Sequence, residues 1–165
     1  MSFRLVDQPA DRPEFVAEAI EILARDIDTA RARLLGLVDR ATDEELVAGS
    51  EEDWSIGMIA YHLLVSERGM VGIALRLARG EVPTSTGQPR PEPRKTTREV
   101  VAEASAKAGA AVERLRREFP SAPHFEVTAP SPYFGTFNCI SWLLAAAFHY
   151  QAHLEAIERG TKSAL

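Results

Sequence analysis

Residues 16–38 read VAEAIEILARDIDTARARLLGLV, and the spacing of their apolar side chains decides the fold class. The apolar positions recur at steps of three and four residues and are Val16, Ile20, Leu23, Ile27, Ala30, Leu34 and Leu37. This period places them on one face of a helix, which has to be buried against other elements. Upstream, Asp11 with Pro13 and Glu14 forms a helix start, so a first long helix is predicted from Asp11 to about Val38.

Three further long segments show the same helical period. The second helix is predicted to begin at its cap Ser55 and to end at Gly80. The third should begin at the capping box Thr96–Glu99 and end at Pro120. The fourth should run from about Thr136 to Gly160. Another capping box occurs at Thr42–Glu45, but Gly49 follows so soon that only a short connecting helix is predicted there.

Two proline-bearing stretches separate these segments. Residues 81–95 carry four prolines and no apolar period, which predicts an exposed loop. Residues 120–135 are also predicted to be a loop, because the short run 125–128 has no evident partner strand. Neither half of the chain has enough helices to close a core by itself. We therefore predict one all-α domain over residues 1–165, an up-down four-helix bundle with a short connecting helix and two proline-rich loops.

Composition narrows the classes of function. Hydrophobic residues make up 45% of the 165 residues and charged residues 26%, the usual mix of a soluble globular domain. The net charge of −5 provides no long-range attraction for nucleic acid or anionic lipid, so neither is expected as a partner. Cys139 is the only cysteine, so no internal disulfide can form, which suits a reducing compartment. The longest apolar run, residues 140–148, is too short to span a bilayer. The N-terminal residues do not resemble a signal peptide, so we expect a cytoplasmic protein.

Three of the four histidines fall on predicted inward faces. His149 and His153 are four residues apart, which makes them neighbours on the fourth long helix with Cβ atoms roughly 5–6 Å apart. They align with Trp142 and with small apolar residues, and His62 stands on the buried stripe of the second long helix. One cation shared by the three imidazoles would compensate for their lost hydration. The alternative is that each histidine is a core residue hydrogen-bonded to a carbonyl group.

Other polar and aromatic residues are less informative. Ser66 lies one turn beyond His62, and we take it as a pocket residue together with Trp142. Trp54 and Trp142 are otherwise interpreted as packing residues at the two ends of the bundle. Cys139 is about three turns from His149, too far to be a ligand, and His124 is predicted to be a surface residue in a loop. Three further polar residues could support the ligands by hydrogen bonds, but their offsets from His149 place them mostly on other faces: Tyr150, Gln151 and Glu155.

The strings WSIGMIAYHL (residues 54–63) and HYQAHLEAI (residues 149–157) together resemble the DinB/YfiT-like family of metal-binding bundles. The first string looks like the family's tryptophan-serine opening and histidine-leucine pair on the second helix, and the second string looks like the H-x-x-x-H pair of its last helix. The order of elements is similar along nearly the whole chain. The resemblance implies that His62, His149 and His153 hold one divalent ion.

The resemblance also implies a reaction class. Characterised relatives use the ion to bind the sulfur of a low-molecular-weight thiol and transfer it to an electrophile, or isomerise a thiol-linked substrate. Three neutral imidazoles leave the ion its full charge, so a bound thiol would react as a metal-bound thiolate. Zinc and nickel accept these ligands, with iron as a further candidate. The alternative is a metal- or small-ligand-binding bundle without turnover that responds to stress. Relatives often pair, which predicts a homodimer.

Overall fold

A computed structural model describes residues 13–86, 90–132 and 135–158. Within these residues the elements, in chain order, are α1 (Pro13–Arg40), α2 (Asp43–Val47), α3 (Ile56–Ala78), α4 (Arg98–Glu118), β1 (Ala129–Ser131), β2 (Gly135–Phe137) and α5 (Cys139–Glu158). The four long helices form a bundle, and the short α2 joins α1 to α3. The predicted all-α bundle is confirmed.

Two of the predicted helix starts have the expected caps. The Thr42 side chain accepts a hydrogen bond from the Glu45 backbone N–H, and the Glu45 carboxylate accepts one from the Thr42 N–H, which is a full capping box for α2. The Ser55 side chain accepts from the Met58 N–H at the start of α3. The predicted cap Asp11 lies outside the described residues.

Two predicted starts were displaced along the chain. The cap of α4 is Thr97 rather than Thr96, because the Thr96 hydroxyl is buried and donates to the Leu46 carbonyl at 3.3 Å. The last helix begins at Cys139 rather than near Thr136, because Thr136 belongs to a strand and Asn138 Oδ1 accepts from the Ser141 N–H at the helix start. The predicted end at Gly160 lies outside the described residues.

The second proline-bearing stretch contains a short β-hairpin that the sequence did not reveal. Strands β1 and β2 pair antiparallel, with Ala129 opposite Phe137 and Ser131 opposite Gly135. Gly135 has a φ of 81°, a conformation that glycine adopts without steric cost. Each strand has only three residues, too few for an alternating pattern to stand out, so the prediction of a loop throughout this stretch was wrong.

The helices run up, down, down and up along the bundle axis, so α4 is parallel to α3, whereas the predicted up-down order would make these two helices antiparallel. One half of the core contains the beginnings of α1 and α5 with the ends of α3 and α4, and the other half contains the opposite parts of the same helices. The hydrogen bonds of Arg98 to the Val38 carbonyl and of Arg116 to Asp28 also set α1 antiparallel to α4. The end of α3 at Ala78 and the start of α4 at Arg98 therefore lie in opposite halves of the bundle.

Helix α3 is the central element of the core. It contacts each of the other long helices, and its length and composition alone would suit a membrane span. However, 67% of its most apolar window is buried inside the bundle, as expected of a core helix. The start of α3 lies so close to α2 that a Cβ added at Gly57 would be 2.3 Å from the Leu46 carbonyl oxygen. Only glycine fits at this crossing.

Candidate metal centre

The structure brings His62 of α3 together with His149 and His153 of α5. The Nε2 atoms of His62 and His149 lie 3.2 Å apart, and one ring nitrogen from each of the three residues lies within 4.8 Å of the others. The ring centroids are 4.8 to 5.6 Å apart. The convergence expected from the four-residue spacing and from the inward stripe of α3 is therefore present.

The three rings differ in their exposure to solvent. His62 is 5% exposed and His153 2% exposed, whereas His149 is only partly buried. The His153 Nε2 atom is buried and makes no hydrogen bond with the described part of the chain. A buried ring nitrogen in that condition loses its hydration without compensation. The cluster thus has a closed side at His153 and a more open side at His149.

Burial favours the neutral form of the His149 and His153 imidazoles. Burial, with the neighbouring His62 and His153 rings as weaker causes, lowers the pKa of His149 to about 3. Burial also lowers the pKa of His153. A neutral imidazole presents a nitrogen lone pair, the form that binds metal ions, whereas a protonated ring binds none.

The donor set fits a divalent ion. Nitrogen atoms bound to zinc at about 2.0–2.1 Å are separated by roughly 3.3–3.4 Å in a tetrahedral site and by roughly 2.8–3.0 Å at a right angle. The 3.2 Å between the Nε2 atoms of His62 and His149 falls in this range. The ligand nitrogen that His153 offers lies within 4.8 Å of those of the other two rings.

A purely structural arrangement explains the cluster less well. A hydrogen bond between the Nε2 atoms of His62 and His149 requires one ring to donate and the other to accept. It would satisfy these two atoms, but it would leave the buried Nε2 of His153 without a partner in the described chain. A shared cation satisfies all three nitrogens at once.

Trp54 forms one wall of the cluster, which its interpretation as an end-packing residue did not predict. Its ring centroid lies 5.1 Å from that of His62, with an angle of 65° between the ring planes. Trp54 directly precedes Ser55, the cap of α3, so the start of this helix sets the position of the indole. The spacing of eight positions from Trp54 to His62, roughly two turns of helix, was the available signal.

Sequence reasoning missed a buried charged group close to the histidines in the chain. Glu67 of α3 is 1% exposed, accepts a hydrogen bond from the Tyr150 hydroxyl at 2.6 Å and is paired with Arg31 of α1. Tyr150, placed by prediction mostly on another face, is 1% exposed. Burial raises the pKa of Glu67, and the bonds from Tyr150 and Arg31 oppose this shift. A glutamate on the inward stripe of α3 was the signal that could have revealed it.

The remaining candidates lie as follows. Ser66 is buried one turn beyond His62. Trp142 belongs to the other half of the core, where its ring packs 5.8 Å from that of Phe137, so its role as a pocket residue stays a prediction. Cys139 is fully buried, and burial raises its pKa to about 11, as suits an unreactive core thiol. His124 is exposed and bonds to Glu126.

Fold and cluster together define a class: helical bundles with three converging imidazoles that are able to bind a metal ion. The family model of the DinB superfamily matches residues 26–157, and the chain belongs to this superfamily. Among solved structures, the crystal structure of TT2238, a four-helix bundle protein, is similar with a TM-score of 0.63 and 24% identity. The similarity covers 85% of this chain and 98% of that one, and it supports the fold alone. No curated protein matches the chain.

Proposed function

We propose that this protein is a divalent-metal-dependent enzyme that transfers a low-molecular-weight thiol to an electrophilic small molecule, or isomerises a thiol-linked substrate. The observation that carries the proposal is the convergence of His62, His149 and His153 within 4.8 Å. Membership of the DinB superfamily supports it. Zn²⁺ and Ni²⁺ are the proposed ions, with Fe²⁺ as a third candidate.

The residues of the cluster suit this chemistry. When bound, the ion would lower the pKa of a thiol so that the sulfur reacts as a thiolate near neutral pH. The three imidazoles add no negative charge that would weaken this effect. His149, the most exposed of the three, marks the side from which a small molecule can approach. Trp54, which is 8% exposed, covers His62 with an apolar ring.

The second candidate is a bundle that binds a metal or small ligand without turnover, in a response to stress. The absence of a carboxylate from the described metal-ligating cluster favours it, because no general acid or base accompanies the three rings. Glu67, the buried carboxylate near them in the chain, is already engaged by Tyr150 and Arg31.

Elemental analysis of the purified protein tests the site. We expect about one ion per chain in the wild type and a large loss in His153→Ala, because that substitution removes one of three ligands. His124→Ala is the matched control, since its ring is exposed on a loop, and it should keep the full content. A full metal content in His153→Ala would refute the three-histidine site.

A panel of cellular thiols with a simple electrophilic acceptor separates the two candidates. The enzyme proposal requires consumption of at least one thiol by the metal-loaded wild type, and loss of this activity in His153→Ala. Metal binding without any thiol reaction across the pH range would favour the binding-module alternative.

We also propose that the protein acts in the cytoplasm as a homodimer, on small molecules rather than on nucleic acid or membranes. Added Cβ atoms at Gly69 and Gly72 of α3 would meet, apart from their own stretch of helix, no atom of the described chain within 4 Å, so this surface can accept a close neighbour. Sedimentation velocity should give a mass near twice 18.1 kDa. A single species of monomer mass at micromolar concentration would contradict the dimer.

A further inference from the structure

Helix α5 has apolar side chains on more than its inward face. Leu143 and Leu154 are buried, while Leu144 is 53% exposed and Phe148 is 58% exposed. The burial of apolar side chains therefore favours one rotation of α5 about its own axis only weakly over another. A rotation by one position, roughly 100°, would bury Phe148 and turn His149 away from His62.

A set of polar side chains joined by hydrogen bonds connects α5 to the other three long helices, and a rotation of α5 would break its bond to this set. The Tyr150 hydroxyl of α5 donates to one oxygen of Glu67 at 2.6 Å, and Arg31 of α1 donates to the other oxygen. Arg31 also bonds to Asp28, which in turn accepts from Arg116 of α4 at 2.7 Å. Tyr150 and Glu67 are each 1% exposed.

We propose that Tyr150 and Glu67 are positioning residues whose hydrogen bond sets the rotation of α5, so that His149 and His153 face His62. Tyr150 lies between the two histidines in sequence, one residue after the first and three before the second. In other rotations of α5 the hydroxyl would lose its acceptor, and the buried carboxylate would lose one of its two donors. This inference rests on the proposed metal site.

Stability alone does not reveal such a role. Replacing buried polar pairs by apolar residues is often neutral for the free energy of unfolding, whereas specificity of arrangement is what such groups are known to provide in some proteins. Affinity for a metal ion depends directly on the mutual placement of the three rings. Metal affinity should therefore stay unchanged on loss of this hydrogen bond if the bond had only a structural role.

Titration of the metal-free, full-length protein with Co²⁺ tests the proposal, because the visible spectrum of this ion reports ligand geometry as well as affinity. We expect Tyr150→Phe to bind Co²⁺ at least about tenfold more weakly than the wild type. Its visible spectrum should also change. Tyr61→Phe is the matched control, since Tyr61 is next to His62 as Tyr150 is next to His149, but lines a surface groove between α3 and α4. It should bind within about twofold of the wild type.

A second variant protects the test against misfolding. Glu67→Met removes the acceptor of the Tyr150 hydroxyl, so we expect a loss of Co²⁺ affinity comparable with that in Tyr150→Phe. If Tyr150→Phe does not fold, such a loss in folded Glu67→Met supports the proposal and wild-type affinity contradicts it. A folded Tyr150→Phe variant with wild-type affinity and spectrum would overturn this inference alone. Failure of the wild type to bind Co²⁺ would overturn the proposed function and this inference together.

Discussion

His149 combines partial exposure with a strongly lowered pKa, and this shift makes the stability of the metal-free protein depend on pH. Its ring stays neutral in the folded state down to about pH 3, whereas in the unfolded chain it takes up a proton near pH 6.5. The unfolded state therefore binds more protons between these values. The contribution of His149 to stability is complete above about pH 6.5 and is lost as the pH falls toward 3.

We predict that the free energy of unfolding of the metal-free protein falls by up to about 1.4 kcal/mol per pH unit in this interval on account of His149. His149→Gln should reduce the slope by a comparable amount. Denaturant unfolding in the presence of a chelator, repeated from pH 7 to pH 4, measures these slopes. Equal slopes for wild type and His149→Gln would contradict the assignment.

At the level of the elements, the close crossing of α2 and α3 depends on one glycine. A Cβ at position 57 would lie 2.3 Å from the Leu46 carbonyl oxygen and 2.6 Å from the Thr96 carbonyl oxygen, both backbone atoms that cannot turn aside. This crossing also supports the start of α3, where Trp54 and Ser55 are placed beside the candidate metal centre.

We predict that Gly57→Ala lowers the free energy of unfolding by about 1–3 kcal/mol, the usual cost of overpacking. Gly36→Ala in α1 should be neutral or stabilising by up to about 1 kcal/mol, because its added methyl group would meet only the flexible Arg40 side chain, at 3.6 Å, and alanine favours a helix. Urea unfolding of both variants gives the comparison. A Gly57→Ala variant as stable as Gly36→Ala would rule out the close crossing.

The elements were largely predictable because their signals are local. Helical periods and the caps Thr42 and Ser55 are visible in short stretches of sequence. Thr96 and Thr97 offer the same hydroxyl, so only the tertiary contact of Thr96 with Leu46 decides which of them is the cap. The hairpin before α5 was missed because its strands pair over three residues each.

At the scale of the whole molecule, the candidate site was likewise predictable where its signals are local and was missed where they depend on packing. The four-residue spacing predicted that His149 and His153 are neighbours, and the inward stripe of α3 predicted the place of His62. The bonds between Glu67, Tyr150 and Arg31 join residues 36 and 83 positions apart, so they depend on packing that no local pattern shows.

A bound ion should stabilise the whole bundle, because its ligands come from α3 and α5 and the unfolded chain offers no assembled site. At a free metal concentration of 100 times the dissociation constant the gain is about 2.7 kcal/mol, which corresponds to a rise of about 5–10 °C in Tm for a chain of this size. We predict this rise for the wild type with Zn²⁺ or Ni²⁺ and its loss in His153→Ala. Scanning calorimetry measures the Tm of both proteins with and without the ion. An equal rise in both would place the stabilising ion elsewhere.

The central claim is that three imidazoles from two helices share one ion. An anomalous-difference map from crystals of the zinc-loaded protein, recorded at the zinc edge, tests it most directly. The predicted result is one strong peak about 2.0–2.1 Å from a ring nitrogen of each of His62, His149 and His153. A peak bound by only one or two of these rings, or found only at a surface group such as His124 and Glu126, would contradict the claim.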